Sequence, residues 1–288
     1  MSGVFLDKLL IENIKKRFFQ METLREFVSL LNYIEIRTDR TKDKFKSLTI
    51  EHLYYLSKTK DNRYSEFSIQ KKNGSQRTIN SPDKLLKRAQ SLINILSQIV
   101  FEHHSHYCSN GFLYGKEIKR NALPHVRKNY ILNIDIKDFF PSINFRRVKV
   151  VLELAPFKLV DERERIGFLI ANLCTYKNSL PQGAPTSPIM SNLVTQKLDR
   201  KISKFCIEKR IKYSRYADDL TFSSNKPIFQ EELVSELKSI IEEENFELNE
   251  SKTRIKSHMQ RQEVTGLIVN EKLNVKREYL QKSSRNAK

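Results

Sequence analysis

Apolar residues recur along this chain at two different periods, and the change of period marks its organisation. Over the first hundred residues the spacing is helical. Phe5, Leu9, Leu10 and Ile14 fall on one face, as do Leu53 and Leu56 behind Thr49, a residue suited to cap a helix. Residues 67–79 then alternate around Asn73-Gly74, the pattern of a β-hairpin, and its strands carry Lys71, Lys72 and Arg77. Leu86, Ala89, Ile93, Leu96 and Val100 restore the helical period over residues 85–100.

From residue 129 onward strands and helices mix. Residues 130–135 read as a strand, with Tyr130, Leu132 and Ile134 on one side and Ile131, Asn133 and Asp135 on the other. One carboxylate thus closes an otherwise apolar strand. Helices are expected over 147–154 and 164–174. Residues 180–188, Leu-Pro-Gln-Gly-Ala-Pro-Thr-Ser-Pro, form a punctuated loop. Its Ser187-Pro188 step should cap and start a helix with the stripe Met190, Val194, Leu198 and Ile202. Strand formers Tyr213, Tyr216, Leu220 and Phe222 flank Ala217-Asp218-Asp219, a tight turn between two short strands. Leu233, Val234, Leu237, Ile240 and Ile241 mark another helix. A short strand follows residues 246–252, and a last strand covers 264–269. The order predicts an α+β fold, a sheet with helices on one face.

Charge changes the picture more than composition does. With 39% hydrophobic and 30% charged residues, the 288-residue chain has a globular balance. Its net charge of +18 calls for a polyanionic partner. The cations are spread along the chain (Lys71, Arg77, Lys116, Lys119, Arg120, Arg127, Lys128 and 272–288), which favours a long nucleic-acid track over a membrane anchor. No apolar run approaches the ~18 residues of a membrane helix. Residues 1–19 lack a signal-peptide pattern. Cys108, Cys174 and Cys206 show no paired spacing, as expected of free thiols in a reducing cytoplasm. His103, His104, His106 and Cys108 lack the spacing of a closed zinc site and fit a loop or helix-end cluster that touches nucleic acid.

The candidate chemistry centres on carboxylates. Asp218 and Asp219 force two like charges together, which a divalent cation would neutralise; oxygen-only ligands favour Mg²⁺, or Mn²⁺. If the strand ending in Asp135 neighbours their hairpin, three carboxylates converge. Such a cluster can hold two metal ions, one activating a hydroxyl and one stabilising the leaving pyrophosphate. The hairpin cations suit a triphosphate.

Three stretches in order, Asn133-Ile-Asp-Ile-Lys-Asp-Phe-Phe140, residues 180–188 and Tyr216-Ala-Asp-Asp219, resemble reverse-transcriptase motifs A, B and C. Asn121-Ala-Leu-Pro-His125 and Val264-Thr-Gly266 resemble the N-A-x-x-H and V-T-G elements of bacterial retron reverse transcriptases. The resemblance covers about residues 65–280. It implies a right-hand polymerase with helical fingers and an antiparallel palm sheet backed by helices. Residues 1–128 would be N-terminal helices and fingers, and 129–270 the palm, with finger elements inserted at about 144–178. Residues 271–288 would be a short basic tail or the start of a thumb. Few residues follow Gly266, so either the thumb is short or missing, or the chain is a fragment of a longer protein.

The resemblance also implies roles. Asp135, Asp218 and Asp219 would hold Mg²⁺ with the Ile136 carbonyl. Phe140 would be the steric gate against a 2′-hydroxyl, and Gln182 and Gly183 would line the nucleotide pocket. Lys71 and Arg77 would grip the triphosphate, and Lys252 would be the acid for pyrophosphate. Asn121, His125, Val264, Thr265 and Gly266 would serve recognition of RNA. Plainer readings stand beside these: Phe140 as core, Lys252 as a solvated charge, Asn121 and His125 as a helix brace. The implied activity is RNA-directed DNA synthesis from dNTPs on a cognate structured non-coding RNA, primed by an internal guanosine 2′-hydroxyl. It would leave DNA joined to RNA and an RNA–DNA hybrid, in anti-phage defence beside a separate effector protein. The alternatives are another bacterial reverse transcriptase, from a group II intron or a defence system, and a non-catalytic RNA-binding scaffold of the same fold.

Overall fold

A computed structural model describes residues 7–38, 46–70, 74 and 76–275. Phe5, Lys71, Lys72 and most of the basic tail lie outside the described residues. In chain order the elements are α1 (Lys8–Gln20), α2 (Leu24–Thr38), α3 (Ile50–Thr59), β1 (Tyr64–Gln70), β2 (Gln76–Pro82), α4 (Lys84–Phe101), α5 (Ile118–Ala122), β3 (Tyr130–Lys137), α6 (Phe145–Glu153) and α7 (Glu164–Cys174). They continue with α8 (Ser187–Val194), α9 (Gln196–Glu208), β4 (Lys212–Tyr216), β5 (Asp219–Ser224), α10 (Glu231–Glu243), β6 (Glu247–Leu248), β7 (Arg254–Ser257), β8 (Glu263–Val264), β9 (Leu267–Ile268) and β10 (Asn274–Val275). The chain divides into two compact units, one of residues 1–104 with 140–194, the other of 105–139 with 195–288.

The first unit is helical. The Asp7 and Asp83 side chains accept from helix N–H groups and cap α1 and α4, and Thr49 with His52 forms a capping box on α3. The predicted stripe of α4 is buried throughout. That of α1 is different. Ile14 and Phe18 are its buried residues, whereas Leu9 is 64% exposed. Five residues at the α-helical pitch place Leu9 about 140° from Ile14, so the two do not share a face. The β1–β2 hairpin pairs Tyr64 with Pro82 through Gln70 with Gln76. Its strands are largely exposed, Arg77 and even Phe67 and Ile69 included.

The helix expected behind residue 188 is two helices. Thr195 separates α8 from α9, so Met190 and Val194 belong to one and Leu198 and Ile202 to the other. Ser187 lies inside α8, and its hydroxyl donates to the Pro181 carbonyl (2.6 Å), closing the preceding loop instead of capping a helix N–H.

The second unit is built on an antiparallel sheet in the order β4-β5-β3-β6, with β7 also paired to β3. The central strand β3 runs two residues past Asp135. Helix α9 packs on β4 and on α10. Residues 264–269 are not one strand. Val264 and Leu267 pair across a two-residue turn, with Thr265 and Gly266 both at positive φ (47° and 84°). Two successive left-handed residues make the tight hairpin turn for which glycine is favoured at the second position.

Residues 108–111 run beside β4. The Arg215 N–H donates to the Cys108 carbonyl and the Asn110 N–H to the Arg215 carbonyl, each at 2.8 Å. A Cβ on Gly111 would lie 2.6 Å from the Ala217 nitrogen, closer than packed atoms approach. Gly111→Ala should therefore lower stability by about 1–3 kcal/mol, read as a lower urea midpoint. An unchanged midpoint would mean that this segment yields without strain.

Candidate active site

Strand β3 places the first carboxylate, and the β4–β5 hairpin the other two. Asp135 and Asp219 are direct cross-strand partners. The flanking pairs Ile134 with Leu220 and Leu132 with Phe222 are buried, and they fix that register. Ala217 and Asp218 form the turn, with Ala217 at φ 57°. The Asp218 carbonyl accepts from the Ile136 N–H at 3.0 Å, tying the turn back to β3.

The charges are arranged unevenly. Asp135 is 8% exposed, and Lys252 Nζ lies 2.8 Å from each of its carboxylate oxygens. Asn249 Nδ2 donates to the same carboxylate at 3.2 Å, and the Asn249 N–H to the Asp135 carbonyl at 2.8 Å. Asp219 keeps exposed surface, yet nearby protein still strips water from its carboxyl. That desolvation, with the charges of Asp218 and Asp135, pushes its pKa up to about 7, and Lys252 only partly offsets them. Among the described residues no three His, Cys, Asp or Glu side chains are arranged as around a bound metal ion. The donor chemistry nonetheless fits one. Three crowded carboxylates with oxygen donors alone suit a hard divalent cation, and their repulsion is what such a charge relieves.

The other expected site residues fall into two groups. In the first unit, the Gln182 carbonyl accepts from the Asn80 N–H on β2 (2.7 Å). Gly183, at φ 135°, sits so close that a Cβ would lie 2.6 Å from the Asn80 carbonyl oxygen. The 180–188 loop is thereby joined to the strand that carries Arg77. Phe140 is half-buried, whereas its neighbour Phe139 is core and packs on Phe246.

In the second unit, Asn121 and its neighbour Ala122 meet residues of the V-T-G element. Asn121 Nδ2 donates to the Thr265 hydroxyl at 3.0 Å, and its Oδ1 accepts from Asn110 at 3.2 Å. Val264 packs with Ala122, Ile131 and Val269. Asn121, His125 and Val264 are all 0% exposed, so their side chains have no surface to offer RNA. His125 bridges two strands, with Nε2 2.8 Å from Ser214 Oγ and Nδ1 2.7 Å from Ser223 Oγ. Ser214 already donates to the Asn121 carbonyl, which assigns the ring proton to Nε2 and leaves Nδ1 as acceptor.

Two buried charges lie next to this site without any sequence motif to mark them. Arg215 on β4 and Asp199 on α9 are 0% and 1% exposed and form a two-point ion pair, Nε to Oδ1 at 2.8 Å and Nη2 to Oδ2 at 2.7 Å. Burial opposes the Arg215 charge, but the adjacent Asp199 outweighs it and holds the guanidinium protonated. The polar sequence of β4, Lys-Tyr-Ser-Arg-Tyr, does not mark Arg215 as buried, and the one hint at Asp199 is its place next to Leu198 on a buried helix face.

A family model described as reverse transcriptase (RNA-dependent DNA polymerase) matches residues 69–270. The retron Ec86 reverse transcriptase of Escherichia coli is 37% identical over 238 residues, covering 82% of this chain and 72% of that protein. The chain belongs to the retron reverse transcriptases. These are RNA-directed DNA polymerases. The retron Mx162 reverse transcriptase of Myxococcus xanthus is 36% identical over 232 residues, 72% of this chain and 47% of that one, so the match spans about half of this longer relative. In fold, this chain resembles the apo telomerase of Candida tropicalis truncated from its C-terminal domain (TM-score 0.52, 14% identity, 75% of this chain and 55% of that one). The right-hand polymerase fold accounts for that likeness at so low an identity.

The His125 bridge has a pH signature. Burial, with a smaller contribution from Lys128, lowers its pKa to about 3 from an ordinary 6.5. The folded protein therefore binds fewer protons there than the unfolded chain. The bridge's contribution is complete above pH 6.5 and is lost progressively as pH falls towards 3. The parent should lose more stability than His125→Gln between pH 7 and pH 4.5, measured as urea midpoints. Parallel profiles would show that the ring is not held neutral.

Proposed function

We propose that this chain copies a structured RNA into DNA at the Asp135–Asp218–Asp219 cluster. The observation that carries the reading is the cross-strand pairing of Asp135 with Asp219, beside a turn that presents Asp218. Bound there, divalent ions would activate the attacking hydroxyl and stabilise the leaving pyrophosphate. Asp135, Asp218 and Asp219 would hold them as Mg²⁺ or Mn²⁺, with the Ile136 carbonyl as a further donor. Lys252, now paired with Asp135, lies within reach of the same carboxylates and could give a proton to the departing pyrophosphate.

The remaining roles follow the same reading. Arg77 on an exposed strand, together with Lys71 of the same hairpin sequence, would neutralise the incoming triphosphate. Gln182 and Gly183 would shape the nucleotide site, and the half-buried Phe140 would exclude a ribose 2′-hydroxyl. Asn121, His125, Val264, Thr265 and Gly266 would support RNA recognition from within, by bracing the surface around them. Residues 1–128 would act as N-terminal helices and fingers, with further finger elements at about 144–178, and the rest of 129–270 as palm. The template would be a cognate structured non-coding RNA, and the product DNA joined to it, made in anti-phage defence beside an effector protein. Three buried free thiols support a reducing cytoplasm as the setting. Among the described residues no helix is long and apolar enough to cross a membrane.

Asp218→Ala and Asp219→Ala should each reduce primer extension on an RNA template by ~10²- to 10³-fold or more, the scale of losing a charge-stabilising group. RNA binding, made by Lys and Arg, should persist and should weaken steeply with added salt. Extension by either variant at the parental rate would remove the site assignment. Loss of synthesis in both would exclude the scaffold alternative. Phe140→Ala should raise GTP incorporation relative to dGTP, and an unchanged ratio would make Phe140 a packing residue.

A further inference from the structure

The buried ion pair of Asp199 and Arg215 does more than join a helix to a strand. Arg215 Nη1 donates to the Ala217 carbonyl at 3.0 Å, and Nη2 also donates to Ser109 Oγ at 3.0 Å. That carbonyl belongs to the peptide bond leading directly into Asp218. Ala217 is in the left-handed region (φ 57°), which is unfavourable for a non-glycine residue and needs support from its surroundings. Support comes from two sides. The guanidinium holds the carbonyl, and the Gly111 backbone packs against the Ala217 nitrogen. Asp199 holds the guanidinium in turn, and the Tyr213 hydroxyl donates to Asp199 Oδ1 at 3.0 Å.

A fully buried ion pair is a poor way to add stability, because desolvation cancels much of the attraction and an apolar pair of similar volume often does as well. Its geometry therefore needs another account. We propose that Asp199 and Arg215 are positioning residues for the reaction: the pair locks the Ala217–Asp218 peptide plane and so sets the direction of the Asp218 carboxylate. The proposal rests on the reading of Asp135, Asp218 and Asp219 as the metal-holding cluster. Lysine cannot replace the arginine. A single ammonium cannot meet both carboxylate oxygens and also reach the turn carbonyl in the planar fork that guanidinium provides.

The test compares Arg215→Lys with the parent. It measures thermal stability, Mn²⁺ affinity of the free protein by water-proton relaxation, and steady-state primer extension. The expected result is a folded protein with kcat reduced roughly 10- to 100-fold, the scale of a misplaced catalytic group, and KM for dNTP changed far less. Mn²⁺ should bind several-fold more weakly. Parental kcat and Mn²⁺ affinity in a folded Arg215→Lys protein would overturn the proposal. So would a loss of activity that only follows the folded fraction. If Arg215→Lys does not fold, the double variant Asp199→Leu with Arg215→Met is measured in its place, with the same outcomes expected. Failure of both to fold would make the pair a folding element and overturn the positioning role. Asp218→Ala separates this proposal from its premise. Synthesis retained in Asp218→Ala removes the site itself, whereas synthesis lost there but retained in Arg215→Lys removes only the positioning role.

Discussion

Two carboxylates face each other across neighbouring strands, and the second unit is organised around holding them there. Like charges directly opposite on an antiparallel ladder repel. Here the apolar pairs of Ile134 with Leu220 and Leu132 with Phe222 set the register, and Asp135 meets Asp219 as a consequence. A slip of one residue would turn those apolar side chains out of the core, so the repulsion cannot be relieved by sliding. Loss of water around the Asp219 carboxyl, with that repulsion added to it, raises its pKa, and Lys252 approaches Asp135 closely.

Around that ladder, polar side chains act from the interior. His125 ties β4 to β5 through two serines. Asn121 ties the segment before β3 to the β8–β9 turn, and Arg215 ties α9 to the turn that carries Asp218. Each of these groups is buried, and each would cost stability if it lost its partner. The N-A-x-x-H and V-T-G stretches, far apart in sequence, are in contact through Asn121 and Thr265. They act as one brace behind the hairpin.

The first unit follows a different logic. Its helices bury a conventional apolar core, while the β1–β2 hairpin stands largely in solvent with Arg77 on it. A two-stranded hairpin is marginal alone. This one is anchored at its base, where Arg63 pairs with Asp83 at 2.6 Å, and along β2 by the Gln182 carbonyl and the close approach of Gly183. The exposed cation and the glycine-containing loop are thus parts of one substructure.

Much of this was legible in the sequence because it is local. Period-two alternation located β3, the turn residues located both hairpins around Asn73-Gly74 and Ala217-Asp218, and apolar spacing located α4, α7 and α10. Motif order marked the three aspartates and the family. Other features were set by contacts that no local pattern encodes. Leu9 is exposed because packing selected a different face of α1, and Thr195 divides what the apolar spacing joined. The turn at Thr265 and Gly266 was hidden in an apolar run that reads equally well as a strand. Whether Asn121 and His125 touch RNA or protein depended on burial, which tertiary packing alone decides. Asp199 and Arg215 are 16 residues apart, and each is unremarkable alone. Only folding brings them together under the turn, because a charge becomes informative once the space around it excludes water.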